Sequence, residues 1–278
     1  MTTKEYIIAT SPLKPELKKV ISYKRESSDS FTIRLDWQLD HELGQFVFCS
    51  LPGVGEAPIS ICSNSKDYVE LNIREVGNMT NALAHVKKGE ELLVRGPYGT
   101  FYPMDTLKGN DLIIVGGGCG VAPLKGVIDY LHKHTKDYGD ISLFFGFRTP
   151  ADALFRDDHE QWSKVFDLNI SYDKMDEPDH PVGAACISGK QGFVTQLVSD
   201  NIHDNKNKVA FLCGPTIMIE KTIEVLKKKG FNNNQIFLSA ERLMYCGMGK
   251  CGRCMIHGKY TCLDGSVFRY DELGKTEE

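Results

Sequence analysis

The sequence predicts an antiparallel β-barrel over residues 1–108, a doubly wound parallel-sheet α/β domain over 109–239 and a small cysteine-rich lobe over 240–278. Three observations carry this. Phe31, Ile33 and Leu35, and again Val69, Leu71 and Ile73, alternate with polar residues, the period-2 signature of half-buried strands. Leu112-Ile113-Ile114-Val115 and Ile141 to Phe147 are instead continuous apolar runs interleaved with helical patterns, as strands covered on both faces require. Finally, four of the nine cysteines crowd between Cys246 and Cys262.

Turn signals at Pro52-Gly53, Gly77-Asn78 and Gly96-Pro97 cut the first region into short strands. In the second, Leu112 to Val115 runs into Gly116-Gly117-Gly118, and a helical pattern follows from Pro123 to His132. Val209 to Cys213 is a further strand, followed by an amphipathic helix over Ile217 to Lys228. The third region has too few apolar residues to fold without a staple. No internal repeat or low-complexity linker separates the three.

The 278 residues suffice for two ordinary cores, and 41% hydrophobic with 25% charged residues is a soluble globular composition. A net charge of −4 excludes the basic footprint of a nucleic-acid binder. Lys227-Lys228-Lys229 closes a helical pattern, where cations suit the helix dipole. Met1 to Pro15 lacks the apolar stretch of a secretory signal, and no apolar run approaches the ~20 residues needed to cross a bilayer. A cytoplasmic chain with no membrane partner is therefore expected. That compartment disfavours structural disulfides, so the cysteine crowding needs another chemical reason.

The crowded cysteines read Cys-x4-Cys-x2-Cys-x7-Cys: Cys246, Cys251, Cys254 and Cys262. Thiolates suit iron–sulfur clusters and zinc alike. The x4/x2 spacing is that of plant-type [2Fe–2S] proteins, where one loop wraps the cluster and a later cysteine closes the site. Gly247, Gly249 and Gly252 supply the positive-φ positions and free N–H donors such a loop needs. Zinc is the rival, although zinc ribbons present two Cys-x2-Cys knuckles and only one stands here. His257, inside the loop, reads as a surface residue.

Val115 to Pro123 is a glycine-rich turn between a buried strand and a helix, with Gly116, Gly117, Gly118 and Gly120 followed by Val121. A dinucleotide pyrophosphate rests at such a place on helix N-terminal amides. Pro123 fits the helix's first turn. Val121 stands where the usual fingerprint has its third glycine, so a tight structural turn is the alternative. Cys213-Gly214-Pro215 ends another strand where a ligand crevice would lie, yet Cys213 also reads as a small buried hydrophobe. Gly55 to Ser60, Arg74 to Gly77 with Thr80, and Arg95 to Gly99 are polar and glycine positions at strand ends, compatible singly with turn chemistry.

In this order the motifs resemble the ferredoxin-NADP reductase superfamily, a flavin-binding barrel followed by a nicotinamide-binding α/β domain, over nearly the whole chain. The resemblance aligns Ala57-Pro58-Ile59-Ser60 with the Arg-x-Tyr/Phe-Ser flavin motif, Ala57 replacing the arginine, and implies that Ser60 lies near the flavin N5. It implies that Arg74, Gly77 and Thr80 hold the FAD phosphate and ribityl region, and Gly96 is a further cofactor-binding candidate. Gly116 to Pro123 match the nicotinamide pyrophosphate loop, and Cys213-Gly214-Pro215 the motif beside the nicotinamide ring; Ser60 and Cys213 are then the candidate catalytic residues. A narrower match, through Gly44-Gln45-Phe46, Leu51 to Ser60 and the segment from Cys246 to Phe268, resembles the NADH-oxidising electron-transfer subunits of anaerobic sulfite reductases. Flavin subunits of sulfhydrogenases, and more distantly the electron-transfer subunits of dihydroorotate dehydrogenase, share the pattern.

The resemblance implies a working order. Nicotinamides give two electrons as hydride, iron–sulfur clusters accept one, and a flavin does both, so cofactors carry the chemistry while the protein orients them. The expected partners are a ferredoxin-like iron–sulfur subunit and a siroheme subunit that reduces sulfite, or a hydrogenase in the sulfhydrogenase reading. A zinc-stapled binding module on a degenerate reductase fold is the non-enzyme alternative. Arg148, after the strand ending at Phe147, is placed either to read the 2′-phosphate of NADPH or to stack on adenine; the resemblance favours NADH.

Overall fold

The computed structural model describes residues 11, 13–175 and 189–273; Cys186 lies outside them. Six strands, β1 (Glu16–Arg25), β2 (Ser30–Leu35), β3 (Phe46–Leu51), β4 (Gly55–Ser60), β5 (Val69–Arg74) and β6 (Glu91–Tyr98), pair antiparallel in the order β4-β3-β6-β1-β2-β5. The two edges meet where Ile61 bridges Leu71 and the Cys62 N–H donates to the Glu70 carbonyl at 2.9 Å, which closes the barrel. The two alternating apolar triplets are cross-strand partners: Phe31 faces Ile73, Ile33 faces Leu71 and Leu35 faces Val69. All six are 0–1% exposed, and burial of each such side chain contributes roughly 2 kcal/mol. A short helix, α1 (Asn78–Leu83), joins β5 to β6.

The second sheet contains β7 (Asp111–Gly117), β8 (Ile141–Phe147), β9 (Asp167–Tyr172), β10 (Lys190–Gln191), β11 (Lys208–Cys213), β12 (Ile236–Ser239) and β15 (Val267–Arg269), in the order β10-β9-β8-β7-β11-β12-β15. Helices α2 (Val121–Lys133), α3 (Arg156–Ser163), α4 (Val194–Asn201) and α5 (Thr216–Lys228) cover it. The continuous apolar run of β7 is explained by two cores. Leu112 and Ile114 point to one face, with Leu124 and Val127 of α2; Ile113 and Val115 point to the other, with Val198 of α4 and Ile223 of α5. The strand order reverses between β7 and β11, so the crevice outside their carboxyl ends is the topological switch point.

The segment expected as a small lobe after residue 239 is tied into the second sheet. It leaves the sheet after β12, forms a hairpin of β13 (Met255–Ile256) and β14 (Lys259–Tyr260), then the single-turn α6 (Thr261–Asp264). It re-enters as β15, antiparallel to β12 on an otherwise parallel sheet. The returning strand also binds the barrel: Thr100 donates through its N–H to the Gly265 carbonyl and through Oγ1 to that of Val267, both at 2.5 Å. His257, with φ +44°, and Gly258, with φ +79°, form the exposed hairpin turn, a pair of positive-φ residues that matches strand twist.

Barrel and α/β domain are joined by charge as well as packing. Lys125 of α2 reaches Glu70 of β5 at 3.4 Å, and Lys24 of β1 pairs with Asp157 of α3 at 2.9 Å.

Candidate functional site

Two cavities lie side by side along the domain boundary. The first, about 410 Å³, opens at the carboxyl ends of β7, β8 and β11, lined by Gly117, Gly118, Phe147, Arg148, Pro215 and Met218, with Asp29 and Arg74 of the barrel on the far wall. The second, about 360 Å³, is lined by Pro58, Ile59 and Ser60 of β4, Asn72 and Arg74 of β5, Thr80 of α1 and the segment from Ser239 to Arg242. Arg74 and Cys119 line both, so the cavities share a wall made by one residue from each domain.

In the first cavity the glycines act through close approach. A side chain on Gly117 would overlap Met218 Sδ, and one on Gly214 would stand 2.8 Å from Met218 Cε. A side chain on Gly120 would overlap the Cys213 carbonyl, and one on Gly116 would meet Val121 Cγ2 at 2.8 Å. Gly118, at φ +53°, has open space in front of it. The loop therefore presents bare backbone at the switch point, a cradle that fits a dinucleotide pyrophosphate. Arg148 lies at its rim, bonded to Asp152 at 3.0 Å and 3.6 Å from Asp29 Oδ2. Asp173 lines the same cavity, and burial raises its carboxyl pKa.

Cys213 is 0% exposed within the core beside Phe211 and lines neither cavity, and burial pushes its thiol pKa well above the usual value. Its neighbour Pro215 is the residue of that motif that lines the cavity.

The second cavity fits a flavin. Asn72 is 8% exposed, donates to Thr32 Oγ1 at 3.0 Å, and its Oδ1 has no hydrogen-bond partner among the described residues. A buried acceptor left unpaired costs free energy unless a ligand donates to it. Thr80 Oγ1 accepts from the N–H groups of Val76 and Gly77, at 3.0 and 3.1 Å, and so shapes the turn into α1. Arg74 donates through Nε to Asp29 at 2.9 Å. Ala57 pairs with Cys49 and packs against the barrel core, and Gly96 packs against Val47; neither lines the cavity.

The four clustered cysteines come together as two pairs. Cys246 and Cys251 lie within thiol hydrogen-bond reach, as do Cys254 and Cys262. Backbone N–H groups point at the sulfurs: Met248 and Lys250 at Cys246 Sγ, both 3.4 Å, and Gly249 at Cys262 Sγ, 3.2 Å. Gly247, Gly249 and Gly252, at φ +76°, +67° and +72°, make that fold of the loop possible. Burial raises the Cys246 thiol, but the N–H groups around it and the Cys251 thiol lower it more, to about 6. Burial and the neighbouring Cys254 push Cys262 up to about 12. Two thiol pairs with N–H donors at the sulfurs suit a sulfide-bridged iron pair, two thiolates to each iron. Cys254 and Cys262 are 1–2% exposed and pack on Phe46, Phe48 and Tyr98 of the barrel, whereas Cys251 is exposed.

Several residues of this arrangement carry no sequence signal. Asp29, Asn72 and Met244 reach the cavities only through the fold, and Glu56 and Arg95 stand in turn-like motifs that say nothing of their pairing. Cys119 is the exception, since it lies inside the glycine-rich turn itself.

A barrel with a buried unpaired acceptor, a bare glycine loop at a switch point and a four-thiol loop define a flavin- and nicotinamide-binding reductase that also carries an iron–sulfur domain. Residues 18–102 match the oxidoreductase FAD-binding domain family, 114–224 the oxidoreductase NAD-binding domain, and 241–274 the iron–sulfur cluster binding domain of dihydroorotate dehydrogenase B. Sulfhydrogenase 2 subunit gamma of Pyrococcus furiosus is 36% identical over 273 residues, covering 92% of each chain. The probable dihydroorotate dehydrogenase B (NAD(+)) electron transfer subunit of Methanocaldococcus jannaschii is 32% identical over 263 residues, covering 94% of this chain and 91% of its own. Among solved structures, an NADH-dependent reduced ferredoxin-NADP oxidoreductase superposes with a TM-score of 0.74 at 24% identity, over 93% of this chain and 91% of the other. The chain belongs to the ferredoxin-NADP reductase superfamily, close to the sulfhydrogenase gamma and dihydroorotate dehydrogenase B electron-transfer subunits. Its class is thus an oxidoreductase with FAD, NAD and iron–sulfur binding domains. No helix among the described residues is long and apolar enough to cross a membrane.

Proposed function

We propose that the chain is the electron-entry subunit of a larger complex, moving electrons from NADH through FAD to a [2Fe–2S] cluster and on to a partner subunit. One observation carries this reading: the three sites form an unbroken series. Arg74 and Cys119 belong to both cavities, and Phe46 and Met244 line the flavin cavity while packing with Cys254 and Cys262. When bound, the flavin supplies the conversion between a two-electron hydride and single electrons.

In this reading Gly117 and Gly118 give the pyrophosphate its backbone cradle, Gly120 lets the loop pack against the Cys213 carbonyl, and Pro215 borders the nicotinamide. Ser60 and Thr80 lie along the flavin, the Asn72 acceptor takes a hydrogen bond from it, and Arg74 provides the cationic contact that Ala57 cannot. Cys246, Cys251, Cys254 and Cys262 hold the cluster. NADH is preferred because the cavity's cations are already engaged, Arg148 by Asp152 and near Asp29, Lys221 by Glu224 at 2.8 Å, with Asp173 adding a further carboxylate where a 2′-phosphate would bring more negative charge.

The motif resemblance supports a siroheme sulfite-reducing partner reached through a ferredoxin-like subunit. The 36% identity to two sulfhydrogenase gamma subunits supports a sulfhydrogenase-type partner to the same degree. The first test is an anaerobic purification with iron, zinc, sulfide and flavin analysis and an absorption spectrum, followed by NADH titration. Two irons and one FAD per chain, both bleached by NADH, are expected. Zinc without iron or flavin would overturn the reading. Co-purification then separates partners: siroheme absorbance with sulfite-dependent NADH oxidation for one, hydrogen-dependent NAD reduction for the other.

A further inference from the structure

Arg95 of β6 is 6% exposed, unusual for a residue of a barrel wall facing neither cavity. Its guanidinium is fully engaged. Nε and Nη2 form a two-pronged pair with Glu56 at 2.8 and 2.5 Å, and Nη1 donates to the Tyr98 hydroxyl at 2.9 Å. The remaining contacts cross into the cysteine loop, Nη1 to the Cys246 carbonyl at 3.1 Å and Nη2 to that of Tyr245 at 3.2 Å. Its face stacks on the Phe48 ring, 4.0 Å from the centroid. The fit leaves no slack, since a side chain on Gly247 would stand 2.8 Å from Phe48 and 3.2 Å from Arg95 Nη1.

We propose that Arg95, aimed by Glu56, is a positioning residue for the iron–sulfur site: it fixes the backbone at Cys246 and raises the reduction potential of the cluster. The inference rests on the cluster reading above. Reduction adds one negative charge to a cluster, and net local charge and hydrogen bonding set its potential. A guanidinium shielded from water beside Cys246 favours the reduced state. Glu56, with a side chain 28% exposed, holds the cation in place from the outside and offsets part of its field. A lysine would keep the charge but lose the fork that spans Glu56 and two carbonyls.

The opposite charges of the two partners give the test its sign. Glu56→Gln, Arg95→Gln and Arg95→Lys are purified anaerobically, assayed for iron and flavin, and titrated potentiometrically with paramagnetic resonance detection of the reduced cluster. Glu56→Gln is expected to shift the potential upward and Arg95→Gln downward. Arg95→Lys is expected to stay nearer the unmodified protein in potential but with a broadened resonance. If Arg95→Gln does not fold, the upward shift of Glu56→Gln together with the Arg95→Lys spectrum decides. Iron-loaded variants with unmoved potentials, or shifts of the same sign from Glu56→Gln and Arg95→Gln, would overturn the proposal. Absence of iron from the unmodified protein would instead defeat the cluster reading on which it rests.

Discussion

Asp29 and Arg148 meet across the boundary between the two large domains: Arg148 Nη2 stands 3.6 Å from the Asp29 oxygen that accepts the 2.9 Å bond from Arg74. One carboxylate in the β1–β2 turn therefore faces a barrel cation at the shared cavity wall and a nucleotide-domain cation at the rim. Burial alone would raise the Asp29 pKa, but hydrogen bonds from Arg74, Ser27 and Ser30 hold it below its ordinary value. A carboxyl lowered on folding contributes stability above its unfolded pKa of about 3.9, and that contribution disappears as pH falls through the lower folded value. Asp29→Asn should therefore melt below the unmodified protein at pH 7, with the gap closing under acid. A gap that stays constant down to pH 2 would refute the linkage.

Nucleotide choice follows from the neighbours of Arg148. Asp152 accepts from Arg148 and from Thr149 Oγ1, both at 3.0 Å. Asp152→Asn leaves the guanidinium less neutralised, and the ratio of kcat/KM for NADPH to that for NADH should rise about tenfold, a change of about 1.4 kcal/mol. Steady-state kinetics with both nucleotides measure it. An unchanged ratio would remove Arg148 from specificity.

The glycine loop makes a sharper demand. Gly117→Val places carbon where Met218 Sδ lies, so the KM for NADH should rise by at least about tenfold. Flavin content should be unaffected, because Gly117 does not line the flavin cavity. Joint loss of flavin and NADH oxidation would point to misfolding instead.

Two cysteine variants should separate ligation from packing. Cys251 is exposed and Cys254 is 1% exposed against the barrel aromatics. Cys251→Ser and Cys254→Ser should both lose iron and the visible absorbance of the cluster. Only Cys254→Ser should also place a hydroxyl in an apolar setting and lower the melting temperature of cluster-free protein. Full iron content in either variant would contradict its role as a ligand.

At the domain joint, Lys125 bonds Asp129 at 2.7 Å and reaches Glu70 at 3.4 Å, with its side chain 12% exposed. Lys125→Met leaves Asp129 without its cation in a poorly hydrated seam, while Glu70 keeps Arg34 at 2.7 Å, and a loss of roughly 3 kcal/mol is expected in chemical denaturation. A loss under about 1 kcal/mol would mean that water reaches the seam.

Much of the barrel and the nucleotide sheet is legible in the chain because their signals are local. The triplets at Phe31 and Val69 alternate over short stretches, and the β7 run declares burial on both faces without reference to any partner. The Pro123 to His132 pattern grows by only a few residues at its ends, into Val121–Lys133. What escapes is pairing at long range. Val267 to Arg269 is too short to mark itself as a strand, and its partner Phe237 to Ser239 is distant in the chain. Arg95 and Glu56 each lie among turn residues, and nothing local says that one will bury its charge against the other. Cys213 shows another limit: its motif reads both as a site and as a small buried hydrophobe, and only the fold shows its side chain in the core beside Phe211.

The return of the chain as β15 has a bearing on how such proteins diversify. Because β12 and β15 are neighbours in one sheet, everything between Ser239 and Val267 is an excursion from a single strand junction, and the cysteine loop lies wholly within it. A lineage can rewrite that excursion, and with it the surface around the exposed Cys251, while the nucleotide crevice stays as it is. The positions that must change in step are the few barrel residues gripping the loop, chiefly Glu56, Arg95 and Thr100. Grafting a relative's segment together with those three is thus the smallest exchange that replaces the cysteine loop and keeps its fit to the barrel.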